Sequence, residues 1–566
     1  MARARTKPAS TTARPSPPTD TITDPLTVRW TLAELPSPQH RAGLAGLAML
    51  VAFTKRHALK DGAVLDQVFD DIGLELTLNL SGLEALFDRV YDADREEASV
   101  AKPWTKKTKG GGKVEVPPKR RETRTETDKK GQTKEVEVCI YDIVVPRGGP
   151  LGELAPLGDN GRWTKLWRDW LWQTLRAIPK QRLPYNLRAG DGVATEEDEV
   201  AEDGPKDASV AWSALHGDPS LKQASTYFLG AMDVNAEVVP FLDRGRFLFL
   251  LHFWPFAIHV FLPQQINAKG ERSFDGFAVC IPDVSRLREF TIRHERSLRQ
   301  RAPEVAGFRP RQAIIDLADA AALETERWLD QAVGDNLAQA APATAGWQII
   351  HAAKDGNSVR IRTNRMICPT RSSLDRSAVM SECRSHLIKH QVLANILAEH
   401  AWWRGFDRVC AVHSKDLTIK DAGFRHDAQL LFTRFHSQPV SPDKDAPMSE
   451  QNADQPRKPR DLEPLILHVV QSWLTGRLKS KYDLAYREVK DGDRSEFDQK
   501  KSKLATEAFL AARSRPGREF ARWFTSTLCS ENQRLNEDEF VLLAKALDER
   551  PDQIRSLTLL ALSARG

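Results

Sequence analysis

The stretch from Ala101 to Glu135 limits what this chain can fold into more than any other part. It holds twelve Lys/Arg against five Asp/Glu, a net charge of +7, while the whole chain carries only +5. Everything else together is therefore slightly acidic. The segment has too little apolar content to bury itself, so it must project from whatever body the rest forms. Lys106 and Lys107 lead into Lys109, Gly110, Gly111, Gly112 and Lys113, a run that suits a loop whose backbone lies close to a ligand. Lys119, Arg120 and Arg121 follow, and then Thr123, Thr125 and Thr127 alternate. Asp128-Lys129-Lys130-Gly131 reads as a tight turn, after which Val136, Val138 and Ile140 resume a period of two. The pattern predicts a projecting β-hairpin arm over 101–135 with a lysine tip, anchored by a buried strand from Val136 to Val145. The plain alternative is a disordered, solvated insertion. The functional one is an arm that grips phosphates or enters a groove.

At 566 residues the chain has room for about three or four domains, and its 41% apolar content is enough for real cores. Cys139, Cys280, Cys368, Cys383, Cys410 and Cys529 are scattered without framework spacing, which suits a reducing cytoplasm. Residues 1–24 are polar and rich in Thr, Pro and Arg, which predicts a disordered tail and no signal peptide. The most apolar run, Phe247 to Leu262, is broken by His252, Pro255 and His259 and is too short to span a bilayer. A membrane protein and a disulfide-stapled one are thus excluded from the expectation.

A mixed α/β body is expected over 25–437. Arg41 to Lys55 predicts a helix with Leu44, Leu47, Ala48 and Val51 as its apolar stripe, and Gly43 and Gly46 leave room for a neighbour to approach closely. Leu74, Leu76, Leu78 and Leu80 alternate as a strand, and Gly82 to Tyr91 reads as a short helix. Arg162 to Ile178 is helical, with Trp163, Trp167, Trp170 and Leu171 on one face and Trp172 beside them. Core packing is the plainer reading of that stripe; a protein interface or base-stacking platform is the other. Asp191 to Asp207 carries eight acids against one Lys, a solvated acidic loop or a screen that keeps nucleic acid off its neighbours. Arg246 to Pro263 predicts one or two strands bent at Pro255. Further on come a strand at Phe274–Ile281, a helix at Ile314–Leu329 and a hairpin of Trp347–Ile350 with Ser358–Arg362. Arg384 to Trp403 predicts a long helix.

Residues 438–460 shift to Pro, Ser, Asp, Lys and Gln and read as a linker. Beyond it Leu465, Ile466, Val469, Val470, Trp473 and Leu474 keep helical periodicity, Phe520, Trp523 and Phe524 form a second stripe, and Asn536 with Glu539 resembles a capping box. The fold class expected is α+β: a mixed N-terminal body with a basic β-hairpin arm, plus an all-α C-terminal helical bundle over 461–566.

No catalytic constellation stands out, and neither a cofactor nor a metal is expected. The Gly110–Lys113 run is no P-loop, because Lys107 stands where the first glycine belongs and Val114 where Ser/Thr belongs. Cys383, His386 and His390 fall on one predicted helix face, but a metal needs a fourth group that nothing identifies. His426-Asp427 is a lone pair. What the chain offers is basic density. Arg293, Arg296, Arg299, Arg301, Arg309 and Arg311 form one cluster, and Arg360, Arg362, Arg365 and Arg371 flank Asn364 in another. In the bundle, Arg513, Arg515, Arg518 and Arg522 surround Pro516-Gly517, while Arg477, Lys479 and Lys481 form a further group. Each alone is ordinary solvated surface; together with the arm they favour nucleic-acid binding.

Two stretches resemble one family. The entry Leu32 to Leu47 is similar to the start of the large subunit of type I CRISPR surveillance complexes (Cascade), in the MYXAN-type or type I-B-like branch. Ala508 to Arg513, Phe524 to Cys529, Asp538 to Phe540 and Leu559 to Ala564 look like the end of the same family. The resemblance implies a non-catalytic subunit that binds CRISPR RNA and target double-stranded DNA beside backbone and guide-5′-end subunits and a small subunit. It implies reading of a protospacer-adjacent motif (PAM), strand opening, and recruitment of a helicase-nuclease or a transposition factor, with sequence read by RNA–DNA pairing. Under it the arm would contact duplex and the bundle would hold the displaced strand. Some branches make their small subunit from an internal start in the large-subunit gene, and Met448 in the linker is the candidate start here. Two competing readings are a metal-dependent nucleic-acid enzyme using Cys383, His386 and His426, and a scaffold whose basic arm binds an acidic protein.

Overall fold

The computed structural model describes residues 25–107, 112–127, 133–154, 161–175, 179–189, 207–222, 242–267, 271–302, 304–333, 341–355, 358–435, 461–484, 494–530 and 535–566. The expected tail, most of the acidic loop and the expected linker with Met448 lie outside them.

The chain opens with β1 (Leu26–Thr31), α1 (Pro38–Lys55), β2 (Leu65–Phe69) and β3 (Gly73–Leu78). The strands pair antiparallel in the order β1-β3-β2. Leu80 leaves the strand and starts α2 (Leu80–Val90), because the Asn79 carboxamide oxygen accepts from the Gly82 and Val64 amides, both at 2.9 Å, and caps a helix there. α1 is buried almost all round. Its glycines do what their missing side chains allow: a Cβ on Gly43 would sit 2.3 Å from the Leu250 carbonyl oxygen, and one on Gly46 would sit 2.1 Å from that of Phe253.

The arm is built from β4 (Ala93–Val100), β5 (Thr105–Lys107), β6 (Lys113–Glu115), β7 (Arg120–Thr127) and β8 (Thr133–Pro146). It is followed by α3 (Pro150–Leu154), α4 (Arg162–Leu175), α5 (Pro179–Arg188) and α6 (Asp207–Gly217). Trp163, Trp167 and Trp170 of α4 are buried in the main core, so the tryptophan stripe is packing. The Trp167 indole N–H donates to the Pro255 carbonyl at 2.7 Å.

Next come β9 (Ser220–Lys222), β10 (Leu242–Arg244), α7 (Gly245–Leu250), β11 (His259–Ile266), β12 (Arg272–Phe274) and β13 (Phe277–Val284). The strand expected from Arg246 is instead α7 and a 3-10 turn at Trp254–Phe256, and β-structure begins only at His259. The reason is α1: its glycine groove receives the Leu250 and Phe253 backbone, which compact turns deliver and an extended strand would not.

Then follow α8 (Leu287–Arg299), β14 (Val305–Ala306), β15 (Arg309–Pro310), β16 (Ile314–Ile315), α9 (Ala321–Val333), β17 (Thr344–Asp355) and β18 (Ser358–Ile367). The helix expected from Ile314 starts only at Ala321, because Ile314 and Ile315 pair in parallel with Leu262 and Pro263. The central sheet runs β12-β11-β13-β17-β18, with β16 off β11. The β17–β18 hairpin is the expected one, with a bulge between His351 and Ala352.

The remainder is helical: α10 (Arg371–Ala378), α11 (His386–Leu397), α12 (Phe406–Val412), α13 (Ala422–Arg434), α14 (Leu462–Tyr482), α15 (Arg494–Arg513), α16 (Gly517–Thr527), α17 (Glu537–Glu549) and α18 (Pro551–Arg565). The long helix expected over 384–403 is only α11. Glu399 takes a left-handed φ of 55°, and Asn395 donates to the Trp402 and Arg404 carbonyls at 2.8 Å each, folding the chain back. The Asn536–Glu539 capping box forms as the spacing predicts.

The α14–α18 helices share one hydrophobic core with α11–α13. α18 is buried from Ile554 to Ser563 and packs against α12 and α13 as well as α14 and α15. A buried ion pair of Arg555 with Asp407 (2.9 Å) ties it to α12. Residues 438–460 therefore interrupt a single helical unit, so the bundle over 461–566 does not own its core.

Candidate nucleic-acid interface

The arm is a three-stranded antiparallel sheet, β4-β8-β7, with β5 and β6 as a small hairpin beside it. The expected hairpin is there, with Thr127 opposite Thr133 and Arg120 opposite Ile140. Val138, Cys139, Ile140 and Tyr141 bury the root of β8. The β5–β6 hairpin is clamped to that root: Trp104 stacks on Tyr141 with ring centroids 4.1 Å apart. The Tyr141 hydroxyl accepts from the Trp104 amide at 3.1 Å and donates to the Val116 carbonyl at 3.0 Å. Register sets Lys107 opposite Lys113.

The arm's cations divide into two groups. Those of the stem are matched. Arg120 holds Glu97 bidentately with both contacts at 2.6 Å, and reaches Glu122 at 2.8 Å. Lys119 lies 2.9 Å from Asp142 and 3.2 Å from Glu97. Arg121 pairs with Glu115 at 2.8 Å, and Arg124 with Glu122 at 3.2 Å. Arg120 and then Lys119 hold the Glu97 carboxyl down at about 2; Glu97 and then Glu122 raise Arg120, and Asp142 and then Glu97 raise Lys119, above their ordinary values. Lys119, Arg120, Arg121 and Arg124 are thus each matched by carboxylates. Lys106, Lys107 and Lys113 lie in β5 and β6, and Gly112 is exposed. Lys109, Gly110, Gly111, Lys129 and Lys130 fall outside the described residues. Sequence reasoning missed this matching, though the acids of β4 were a signal: Glu97 is the carboxylate that meets Lys119 and Arg120.

Many residues of the other basic clusters have partners within the chain. Arg301 is turned into the body, stacked on Trp163 (4.4 Å) and Trp328 (5.2 Å), and donates to the His259 imidazole. That imidazole passes a hydrogen bond to His294 at 3.2 Å, and His294 reaches the Phe256 carbonyl at 3.1 Å. Burial drives both imidazoles down, His294 to about 3. Arg309 pairs with Asp169 of α4 at 2.5 Å. Arg299 and Arg311 are exposed, with Glu304 3.8 Å from Arg311. On the edge strand β18, Arg362 pairs with Asp275, Arg365 with Asp319 at 3.0 Å, and Arg360 stands 3.9 Å from Asp355. Asn364 accepts from Gln348 at 3.0 Å. Charges along an edge also keep it from pairing with another chain, which accounts for this row without a ligand.

In the helical unit, Arg513 donates to the Ala411 carbonyl at 2.8 Å and Arg515 to that of Ala511 at 2.6 Å, so both serve packing. Arg518 and Arg522, one turn apart on α16, are exposed and make no ion pair among the described residues. Arg477 is half-buried, Lys479 is exposed, and Lys481 lies 3.9 Å from Glu507 and over the Tyr482 ring.

The candidate metal ligands do not converge. His386 donates to or accepts from Asp316 at 2.7 Å, His426 contacts Asp427 at 2.9 Å, and Cys383 turns its thiol to the Val379 carbonyl. Among the described residues no three His, Cys, Asp or Glu side chains are grouped as a metal site needs. No described helix is long and apolar enough to cross a membrane.

Two family models match and together span most of the chain. The type I-B CRISPR Cas8b N-terminal domain matches residues 64–339, and the type I-B CRISPR Cas8b C-terminal domain matches residues 344–565. No curated protein matches it.

Proposed function

The chain belongs to the type I-B CRISPR Cas8b family, and on that premise we propose that it grips target duplex DNA beside its PAM, helps to open the strands and holds the displaced one. Membership makes it the large subunit of a type I-B-like Cascade, a complex of CRISPR RNA with other Cas subunits. Large subunits of this kind are in general non-catalytic, so the work proposed is binding and positioning. Target sequence is left to RNA–DNA pairing.

The arm is the proposed duplex contact. The observation that carries this is the matched stem, where the arginines and Lys119 meet carboxylates, in a segment whose sequence keeps a net charge of +7. A self-neutralised sheet is a stiff support, and the lysines proposed to meet phosphate are Lys106, Lys107, Lys109, Lys129 and Lys130. Glycines 110–112 would let backbone amides approach the groove. Arg518 and Arg522 on α16 are the proposed contact for the displaced strand, and strand opening then precedes recruitment of a helicase-nuclease. The test is binding of PAM-bearing duplex by the assembled complex. Alanines at Lys106, Lys107, Lys109, Lys129 and Lys130 are expected to weaken it, and unchanged binding at every salt concentration would remove the arm from the DNA path.

A further inference from the structure

Between β12 and the β14–β15 hairpin lies a cleft of about 520 Å³, far from the arm in sequence. Its size falls within the roughly 300–1,000 Å³ of small-ligand sites. Phe274, a half-exposed residue, gives it an aromatic wall. Arg272, Arg311 and Lys389 bring positive charge from three separate elements. Arg272 makes no ion pair among the described residues, and Arg311 is 72% exposed with its nearest carboxylate 3.8 Å away. The one acid at the floor, Asp316, is already matched: His386 and the Gln264 amide each lie 2.7 Å away and Lys389 at 3.8 Å. Burial opposes its ionisation, yet those partners hold its carboxyl below the ordinary range. The Gln264 amide nitrogen is thereby committed to Asp316, so its carbonyl oxygen is the group left for a ligand. An open ring flanked by two guanidinium groups, one of them only loosely paired, matches a planar base joined to phosphate.

We propose that this cleft binds one unstacked nucleotide of a single-stranded polynucleotide, the base on Phe274 and the flanking phosphates against Arg272 and Arg311. The proposal rests on the nucleic-acid reading of the family and adds a site to it. A strand fits better than a free nucleotide, because the same β14–β15 hairpin presents a second ring: Phe308, at its turn after Gly307 (φ 62°), is 89% exposed. Successive exposed rings suit successive bases.

The test uses the full-length chain with labelled oligothymidylate, oligouridylate, a mononucleotide and a duplex, measured by fluorescence anisotropy. Phe274→Ala should weaken single-strand binding by about tenfold and Phe274→Trp should restore it. Arg272→Ala with Arg311→Ala should weaken it and lower its salt dependence, while duplex binding and the melting temperature stay unchanged. Loss confined to oligothymidylate assigns the site to displaced DNA, and loss confined to oligouridylate assigns it to guide RNA. Single-strand binding indifferent to all these variants would overturn the proposal, as would a mononucleotide that binds as tightly as the oligonucleotides. Duplex binding by the arm variants is read separately, so failure of the arm leaves this result interpretable.

Discussion

Removing Lys106, Lys107, Lys109, Lys129 and Lys130 takes five charges from the turn end of the arm and none from its matched stem. Each phosphate neutralised on duplex DNA contributes about 0.9 to the slope of log affinity against log salt, so five contacts contribute about 4.5. Between about 50 and 200 mM salt that slope is worth roughly 500-fold in affinity, which the alanine variant should no longer lose. The control is Lys119→Ala, Arg120→Ala and Arg121→Ala together. These three already face Asp142, Glu97 and Glu115, so their loss should move the slope by less than about one unit. Anisotropy titrations of target duplex at four or so salt concentrations give both slopes. A stem variant that flattens the slope as much as the turn variant would refute the division of charge. A turn variant with the parental slope would refute the arm as a phosphate contact.

Charge reversal at Arg518 and Arg522 should weaken binding of a displaced single strand while leaving duplex capture intact, read by permanganate footprinting of the open target. Tyr141→Phe leaves the Trp104 amide and Val116 carbonyl without their shared hydroxyl, and should cost about 1–3 kcal/mol by denaturant unfolding, with duplex affinity falling too. Gly46→Ala puts a methyl 2.1 Å from the Phe253 carbonyl oxygen and should destabilise by about 1–3 kcal/mol or more, measured by thermal melting. His259 and His294 are buried neutral, with His294 down at about 3, so the unfolded chain binds protons that the folded one refuses. Stability is then full above the unfolded value near 6.5 and falls as pH drops below it, by roughly 2 kcal/mol per imidazole by pH 5. A melting temperature flat from pH 7 to 5 would contradict that burial. A product begun at Met448, the candidate internal start, would carry α18 without the α12 and α13 it packs against; mass spectrometry of the complex tests for it, and full-length chain only, unchanged by Met448→Ala, would reject it.

Features with a local cause were legible in the sequence. The tryptophan stripe, the Asn536–Glu539 box, the Gly43–Gly46 groove and the strand-turn-strand of the arm each follow from spacing within a few residues. Features made by distant segments were not. Glu97 and Asp142 cancel Lys119 and Arg120 across strands, a balance that a charge count over 101–135 does not see. Arg301 reads as one more surface arginine until Trp163 and Trp328 close on it. The shift to Pro, Ser and Asp at 438–460 marks a break in the chain's composition, but α18 passes through the core of helices on both sides of it. The Phe274 cleft joins residues 264, 311 and 389, which no local pattern connects. Composition thus located the charge, and only pairing in three dimensions shows that the stem's share is matched.

The most direct measurement is ultraviolet cross-linking of the assembled, guide-loaded complex to PAM-bearing target DNA, with the cross-linked peptides mapped by mass spectrometry. The account predicts duplex cross-links in peptides covering residues 105–115 and displaced-strand cross-links in peptides covering Arg518 and Arg522. Abundant cross-links elsewhere on the chain, with both of these peptides empty, would contradict it.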